Sequence, residues 1–243
     1  MNIINRSRNN IGRGVLAVLL LFSGTGIAVA QSGSLPFQPG ETVTYAIKKL
    51  GVKAGEATLV FKGLEQHQGK SFYRISFTAR AMNFLDEENI FVDPQTLYPV
   101  RVERNLNIFG RKEKILEIYD HVKGEIQIIK VFKGKETRQT LQKTGPVDNI
   151  YCFLYRFRQE TAIDQKKSFE MKLPTKDVKL EFVKPDELKI GNKTYQTLYL
   201  QSDPKEYKLW FDSGAKKVPL RIDGAMGIAS TSLVMSGYQA PQE

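Results

Sequence analysis

The sequence predicts a mainly β protein: a single curved antiparallel sheet or open half-barrel of about a dozen strands, with one amphipathic helix over about residues 148–158 packed on it. Three observations carry this expectation. Apolar and polar residues alternate with period two through several stretches. Turn-forming residues separate those stretches at strand-length intervals. A single segment switches to helical periodicity.

Taken in order, the chain opens with a basic, acid-free stretch containing Arg6, Arg8 and Arg13. The apolar run Val15–Phe22 follows, and then small residues ending in Ala28-Val29-Ala30. A positive region, a short apolar region and an A-x-A site describe a secretory signal peptide over residues 1–30, cleaved before Gln31. The apolar run is too short to span a bilayer comfortably. Residues 31–243 are then expected to form one antiparallel β domain, exported to the periplasm or secreted. After a short loop with Pro36 and Pro39, Val43, Tyr45 and Ile47 alternate with Thr42, Thr44 and Ala46. Gly51 and Gly55 bracket a reversal, after which Ala57, Leu59 and Phe61 alternate with polar neighbours. In SFYRISFTARA, Tyr73, Ile75, Phe77 and Ala79 share one face and Arg74, Ser76, Thr78 and Arg80 the other. Such alternation marks half-buried antiparallel strands. QGK at 68–70, DPQT at 93–96, VKGE at 122–125, KGKE at 133–136, IGNK at 190–193 and DSGAKK at 212–217 supply the residues that reversals need.

Residues 145–159, GPVDNIYCFLYRFRQ, change the period. Ile150, Phe153, Leu154 and Phe157 stand at i, i+3, i+4 and i+7, one face of a helix. Asp148 is placed to cap its N-terminus, and Arg156 and Arg158 complement the dipole at its other end. Tyr151 and Tyr155 widen the apolar stripe, so this helix needs a surface, and the concave side of a curved sheet supplies one.

The 243 residues carry 36 Lys+Arg against 26 Asp+Glu. Removing residues 1–30 takes three basic residues and no acidic ones, leaving 33 against 26, a formal +7. This balance suits an anionic surface such as phospholipid or envelope polymer. Nucleic acid is a poor partner for an exported chain without a binding motif. Cys152 has no partner for an internal disulfide, and inside an apolar helix it reads as a buried core thiol. His67 and His121 lie beside predicted turns, outside metal-ligand spacing, and read as solvated loop histidines. Asp86-Glu87-Glu88 lacks the spacing of a calcium loop and reads as a polar connection between strands. With no nucleophile elbow, phosphate loop, metal set or cofactor motif, no catalytic residue is nominated and a non-enzymatic protein is expected.

Several stretches together resemble a bacterial envelope family known as domain of unknown function 3108. They are LPFQPGETVTYAIKKLGVKAGEATL, where Gly51, Ala54, Gly55 and Ala57 match a G-x-x-A-G-x-A hairpin, then FVDPQTLYPVRVERN, DNIYCFLYRFR and YKLWFDSGAKKVPLRIDGAMGIASTSLVM. The segment from Leu209 to Arg221 is also similar, more loosely, to periplasmic lipoprotein carriers and related stress sensors. The second resemblance implies an open half-barrel that wraps helices and holds acyl chains. On it, the concave face would take a lipid or other hydrophobic or anionic envelope ligand, with Tyr45, Phe77, Phe153 and Phe157 lining the site. Arg101, Arg104 and Arg111 would form a basic rim for anionic head groups; the other reading of these arginines is solvent-facing charge interleaved with Glu103, Glu113 and Glu117. The alternative function is a structural or interaction module with a filled core. A monomer or weak dimer is expected on either view, able to touch the membrane surface but not spanning it.

Overall fold

The computed structural model describes residues 35–67, 69–163, 167–226 and 231–241; the predicted signal peptide, residues 1–30, lies outside them. The strands are β1 (Thr42–Lys49), β2 (Val52–His67), β3 (Lys70–Ala81), β4 (Phe84–Val92), β5 (Pro99–Ile108), β6 (Arg111–Asp120), β7 (Glu125–Phe132) and β8 (Lys135–Gln142). After helix α1 (Ile150–Arg158) come β9 (Ser168–Leu173), β10 (Lys176–Ile190), β11 (Lys193–Asp203), β12 (Lys208–Asp212), β13 (Pro219–Asp223) and β14 (Thr231–Gln239). All fourteen belong to one sheet, in the order β8-β7-β6-β5-β4-β3-β2-β1-β14-β13-β12-β11-β10-β9. Every strand pairs with the next in the chain except β8 with β9, and the first and last also meet: β1 pairs β14 antiparallel, Thr42 opposite Gln239 and Lys49 opposite Thr231. β8 and β9 are left as the two edges, so the sheet is open, as expected, with somewhat more strands than the sequence announces.

The alternation read from the sequence becomes one continuous inner face. Val43 stands opposite Leu59 and Tyr45 opposite Ala57; Leu59 in turn stands opposite Phe77, and Phe61 opposite Ile75. All of these are buried, as are Leu209, Phe211, Leu220, Ile222 and Leu233 on the other half of the sheet. The opening hairpin turns tightly at Leu50-Gly51, where Gly51 takes φ +85°. Gly55 is therefore not a turn residue but lies inside β2. There a Cβ would come within 2.2 Å of the Arg80 carbonyl oxygen, so only glycine lets β2 and β3 approach.

The chain leaves one sheet edge at Gln142 and joins the other at Ser168, and α1 sits on that crossing, touching β3 and β9. The predicted face is buried, but so is the back of the helix: Tyr151, Cys152, Tyr155 and Arg158 are covered as well as Ile150, Phe153, Leu154 and Phe157. A helix apolar all round belongs inside a core, and this one is wrapped by sheet on more than one side. Its N-cap is Asn149, whose side chain accepts from the Tyr151 N–H, and not Asp148. Asp148 instead pairs with Arg156 through two hydrogen bonds, with the guanidinium 4.1 Å over the Tyr98 ring. Cys152 is buried and free, and burial pushes its thiol pKa well up.

Two further expectations need correction. The histidines are half-buried and packed rather than freely solvated. The His67 ring lies 4.8 Å from Phe91, and His121 is hydrogen-bonded at both ring nitrogens, to the Pro99 carbonyl at 2.7 Å and to the Val147 N–H at 3.4 Å. Asp86-Glu87-Glu88 is not a connection: it lies within β4, and its alternate members Asp86 and Glu88 are buried.

Candidate functional site

Strand parity explains where the nominated residues fall. Tyr45, Phe77, Phe153 and Phe157 do share the inner side, but there they touch one another's neighbours rather than open space. Tyr45 donates from its hydroxyl to the Pro219 carbonyl at 2.9 Å. Phe77 stacks on Tyr151 with centroids 4.2 Å apart, and Phe157 meets Phe211 at 4.3 Å and Phe169 at 5.3 Å. Phe153 closes the group, 6.2 Å from Phe157. This part of the concave face is filled by α1.

The three arginines do not make a rim. Arg101 and Arg104 are three residues apart on one strand, so they point to opposite faces. Arg101 stays outside, paired with Glu103 at 2.8 Å. Arg104 turns inward. Arg111 begins the next strand at the far end, paired with Glu113 at 2.7 Å and 4.6 Å over the Phe132 ring. The interleaving of basic and acidic residues thus holds for Arg101 and Arg111 and fails for Arg104.

Arg104 leads to the site that sequence reading missed. Beyond the N-terminus of α1 the inner face changes from apolar to charged, and a cleft of about 320 Å³ lies there. Its floor is β4, β5 and β6, with Glu88, Arg104 and Glu117; Asp148 and Asn149 approach from the helix, and the β9–β10 turn with Tyr207 and Met226 forms the opposite wall. Arg104 binds Asp86 in bidentate fashion at 2.7 and 2.6 Å and reaches Glu88 at 3.3 Å. The Asn149 amide donates to the other Glu88 oxygen at 3.4 Å, while its carbonyl caps the helix. Tyr119 donates to Glu117 in a short contact. The signal was present in the sequence: Asp86, Glu88, Ile90 and Val92 keep the period-two alternation, carried through the carboxylates.

Electrostatically the cleft holds more acid than base, with Glu88, Glu117 and Asp148 against Arg104 and Lys176. Burial first, reinforced by Asp86 and Glu117 and opposed by Arg104 and Asn149, pushes the Glu88 carboxyl from 4.5 to about 7. Burial likewise raises Glu117 against its hydrogen bond from Tyr119 and the nearby charge of Arg104. For Arg104, Asp86 and Glu88 outweigh burial and hold the guanidinium charged. Among the described residues no group of three or more His, Cys, Asp and Glu side chains is arranged to hold a metal ion.

The raised Glu88 value has a sign that melting can read. The folded protein keeps a proton that the unfolded chain releases, so stability falls as pH rises from 4.5 through about 7, and the penalty is complete above that. Glu88→Gln removes the titration. Its melting temperature relative to the parent should therefore rise between pH 5 and pH 8; parallel curves for the two proteins would show that Glu88 ionises freely.

The family model described as protein of unknown function, DUF3108, matches residues 42–235. The chain belongs to this family. The match runs from the first residue of β1 into β14, so the DUF3108 unit contains β1 to β13, α1 and the first half of β14. A β-barrel-like protein of the DUF1849 family from Brucella abortus is similar over 85% of this chain and 99% of its own, at 8% identity and a TM-score of 0.50, and shares the fold. A Bacteroides fragilis protein with a YmcC-like fold is matched over 84% of this chain and 98% of its own, at 9% identity and a TM-score of 0.30. No curated protein matches the chain.

Proposed function

We propose that this DUF3108 protein is an exported, non-enzymatic protein of the cell envelope that binds a neutral, hydroxyl-rich ligand, such as a saccharide segment of an envelope polymer, on the concave side of its sheet. The basic stretch, apolar run and A-x-A site of residues 6–30 support export. The observation that carries the ligand reading is the cleft. Glu88, Arg104 and Glu117 stand side by side on adjacent strands, next to apolar surface from Val102, Leu173, Pro174 and Met226. Carboxylates and a guanidinium are acceptors and donors suited to vicinal hydroxyls. Charged walls disfavour an acyl chain, and the excess of carboxylate disfavours an anion. A lipid held between α1 and the sheet, the other form of the concave-face reading, would have to displace Phe77, Phe153 and Phe157 from their ring contacts.

The non-enzymatic reading rests on how the reactive groups are engaged. The Cys152 thiol is buried with its pKa well up, His121 is bonded on both sides, and Glu117 is tied to Tyr119. Titration calorimetry against neutral oligosaccharides, such as oligomers of N-acetylglucosamine and of glucose, tests both halves. Saturable binding by the parent, weakened about tenfold or more in Glu117→Gln (~1.4 kcal/mol), is expected. Binding unaffected by that change, or none, would overturn the cleft as the site. Cleavage of the oligosaccharide that Glu88→Gln abolishes would make the protein an enzyme.

A further inference from the structure

A second surface, at the turn end of the sheet, is independent of the cleft. Because β1 to β8 form an uninterrupted antiparallel meander, the β1–β2, β3–β4, β5–β6 and β7–β8 turns all lie at the same end of the sheet. Three successive tips carry a large apolar residue in the open. Leu50 is 80% exposed, Met82 93% and Phe109 81%, with Val52 beside Leu50 at 71%. Leu50 and Phe109 hold φ of +50° and +51°, and Lys133 at the fourth tip +49°. Two-residue hairpin turns of this kind favour Asn or Asp before glycine, since bulky side chains at positive φ are strained. Leu-Gly and Phe-Gly are thus poor choices for both backbone and solubility, and strain of this kind collects at functional sites. The Phe109 N–H donates to the Asn83 carbonyl at 2.8 Å, tying the second and third tips together.

The charge around these tips has one sign. Residues 48–55, 80–85, 107–112 and 131–135 contain Lys48, Lys49, Lys53, Arg80, Arg111, Lys112, Lys133 and Lys135 and no acidic residue. Lys53, Arg80 and Arg111 are paired with Glu56, Glu87 and Glu113 set further back on the strands. Directly behind the third and fourth tips lies a groove of about 420 Å³ lined by Asn105, Asn107, Lys112, Lys114 and Lys133 together with Glu113, whose carboxylate is paired with Arg111 and Lys130. Cross-strand register sets Asn105 opposite Lys114 and Asn107 opposite Lys112, an arrangement of ammonium and amide donors suited to a phosphate.

We infer that this end of the sheet docks on an anionic phospholipid bilayer, with Leu50, Met82 and Phe109 entering the interface and the lysine groove taking a phosphate-bearing head group. The second and third tips adjoin through that hydrogen bond, and the first stands roughly two strand spacings (~10 Å) from the second, so the exposed apolar side chains are carried on separate turns. A protein partner needs contiguous complementary surface, whereas a fluid interface accepts isolated apolar side chains backed by basic residues. Among the described residues, the opposite end offers a single comparable tip, Val122.

Co-sedimentation of the protein with phosphatidylcholine vesicles, with and without phosphatidylglycerol, tests this. Partition into the anionic vesicles only, weakened by high salt, is the expected result. The triple variant Leu50→Asn, Met82→Asn, Phe109→Asn should fold as well as the parent, since asparagine suits the positive φ at 50 and 109 and Met82 packs on nothing at 93% exposure, yet lose tenfold or more of its partition. Lys112→Gln with Lys114→Gln and Lys133→Gln should lose a similar amount and flatten the salt dependence. Equal partition of parent and tip variant, or none onto anionic vesicles, would overturn the inference. So would a parent that self-associates through the tips, seen as a change of sedimentation coefficient in the asparagine variant without vesicles.

Discussion

Arg158→Ala should destabilise the protein by about 3–5 kcal/mol, the cost of stranding a buried charge. For a domain of this size that is a fall in melting temperature of roughly 10 °C. Arg158 and Glu41 are both about 1% exposed. The guanidinium is paired twice to the Glu41 carboxylate, once at 2.9 Å, and also donates to the Lys216 carbonyl at 2.8 Å and the Pro36 carbonyl at 3.2 Å. Tyr238 adds a hydrogen bond to Glu41 at 3.0 Å. One side chain at the end of α1 thus joins the segment before β1, the β12–β13 loop and, through Glu41, β14. These elements lie where the first and last strands close on each other, so the loss is felt across the sheet. Arg158→Lys keeps the charge without the fork and should fall between parent and alanine variant. The double change Glu41→Gln, Arg158→Met removes both charges and should recover much of the loss, because paired removal leaves no stranded ion. Equal melting of Arg158→Ala and the parent would mean that water reaches the Glu41 carboxylate.

That ion pair also marks where sequence reading stops. Arg158 could be seen at the end of a helix, and the dipole was reason enough for it there; its partner lies 117 positions earlier and nothing local points to it. Local periodicity did carry the strands around Val43, Leu59 and Ile75, because one face of each is packed and the other wet. It failed for the hairpins at Met82 and Phe109, whose apolar tips hide the turn beneath a continuous strand pattern. It failed for β4 because Asp86 and Glu88 occupy inward positions that apolar residues are expected to fill. Arg101 and Arg104 show the reverse case: their odd spacing alone separates them onto two faces, and a rim built from both was excluded by parity. The pairing of β1 with β14, which fixes the location of cleft and core, has no local signature.

The filled core is open to a direct test at Phe157. Phe157→Ala should cost about 3–5 kcal/mol, as truncation of a fully buried phenylalanine does. Its ring is 1% exposed and lies against Phe211 from β12, Phe169 from β9 and Phe153 from its own helix. These contacts span both the helix and the half of the sheet remote from β3, so no single neighbour can move in to refill the space. Exposed Phe109→Ala is the control and should change the melting temperature little, since its ring makes no packing to lose. The comparison separates two accounts of the concave face. If an acyl chain normally occupied the gap between α1 and the sheet, Phe157 would face lipid, and its truncation would leave the melting temperature of lipid-free protein nearly unchanged. In a core closed by protein alone the full cost appears without any lipid. The cavity left behind, walled by phenylalanine rings, should stay dry and take up a small apolar molecule such as benzene, which would raise the variant's melting temperature and leave the parent's unchanged.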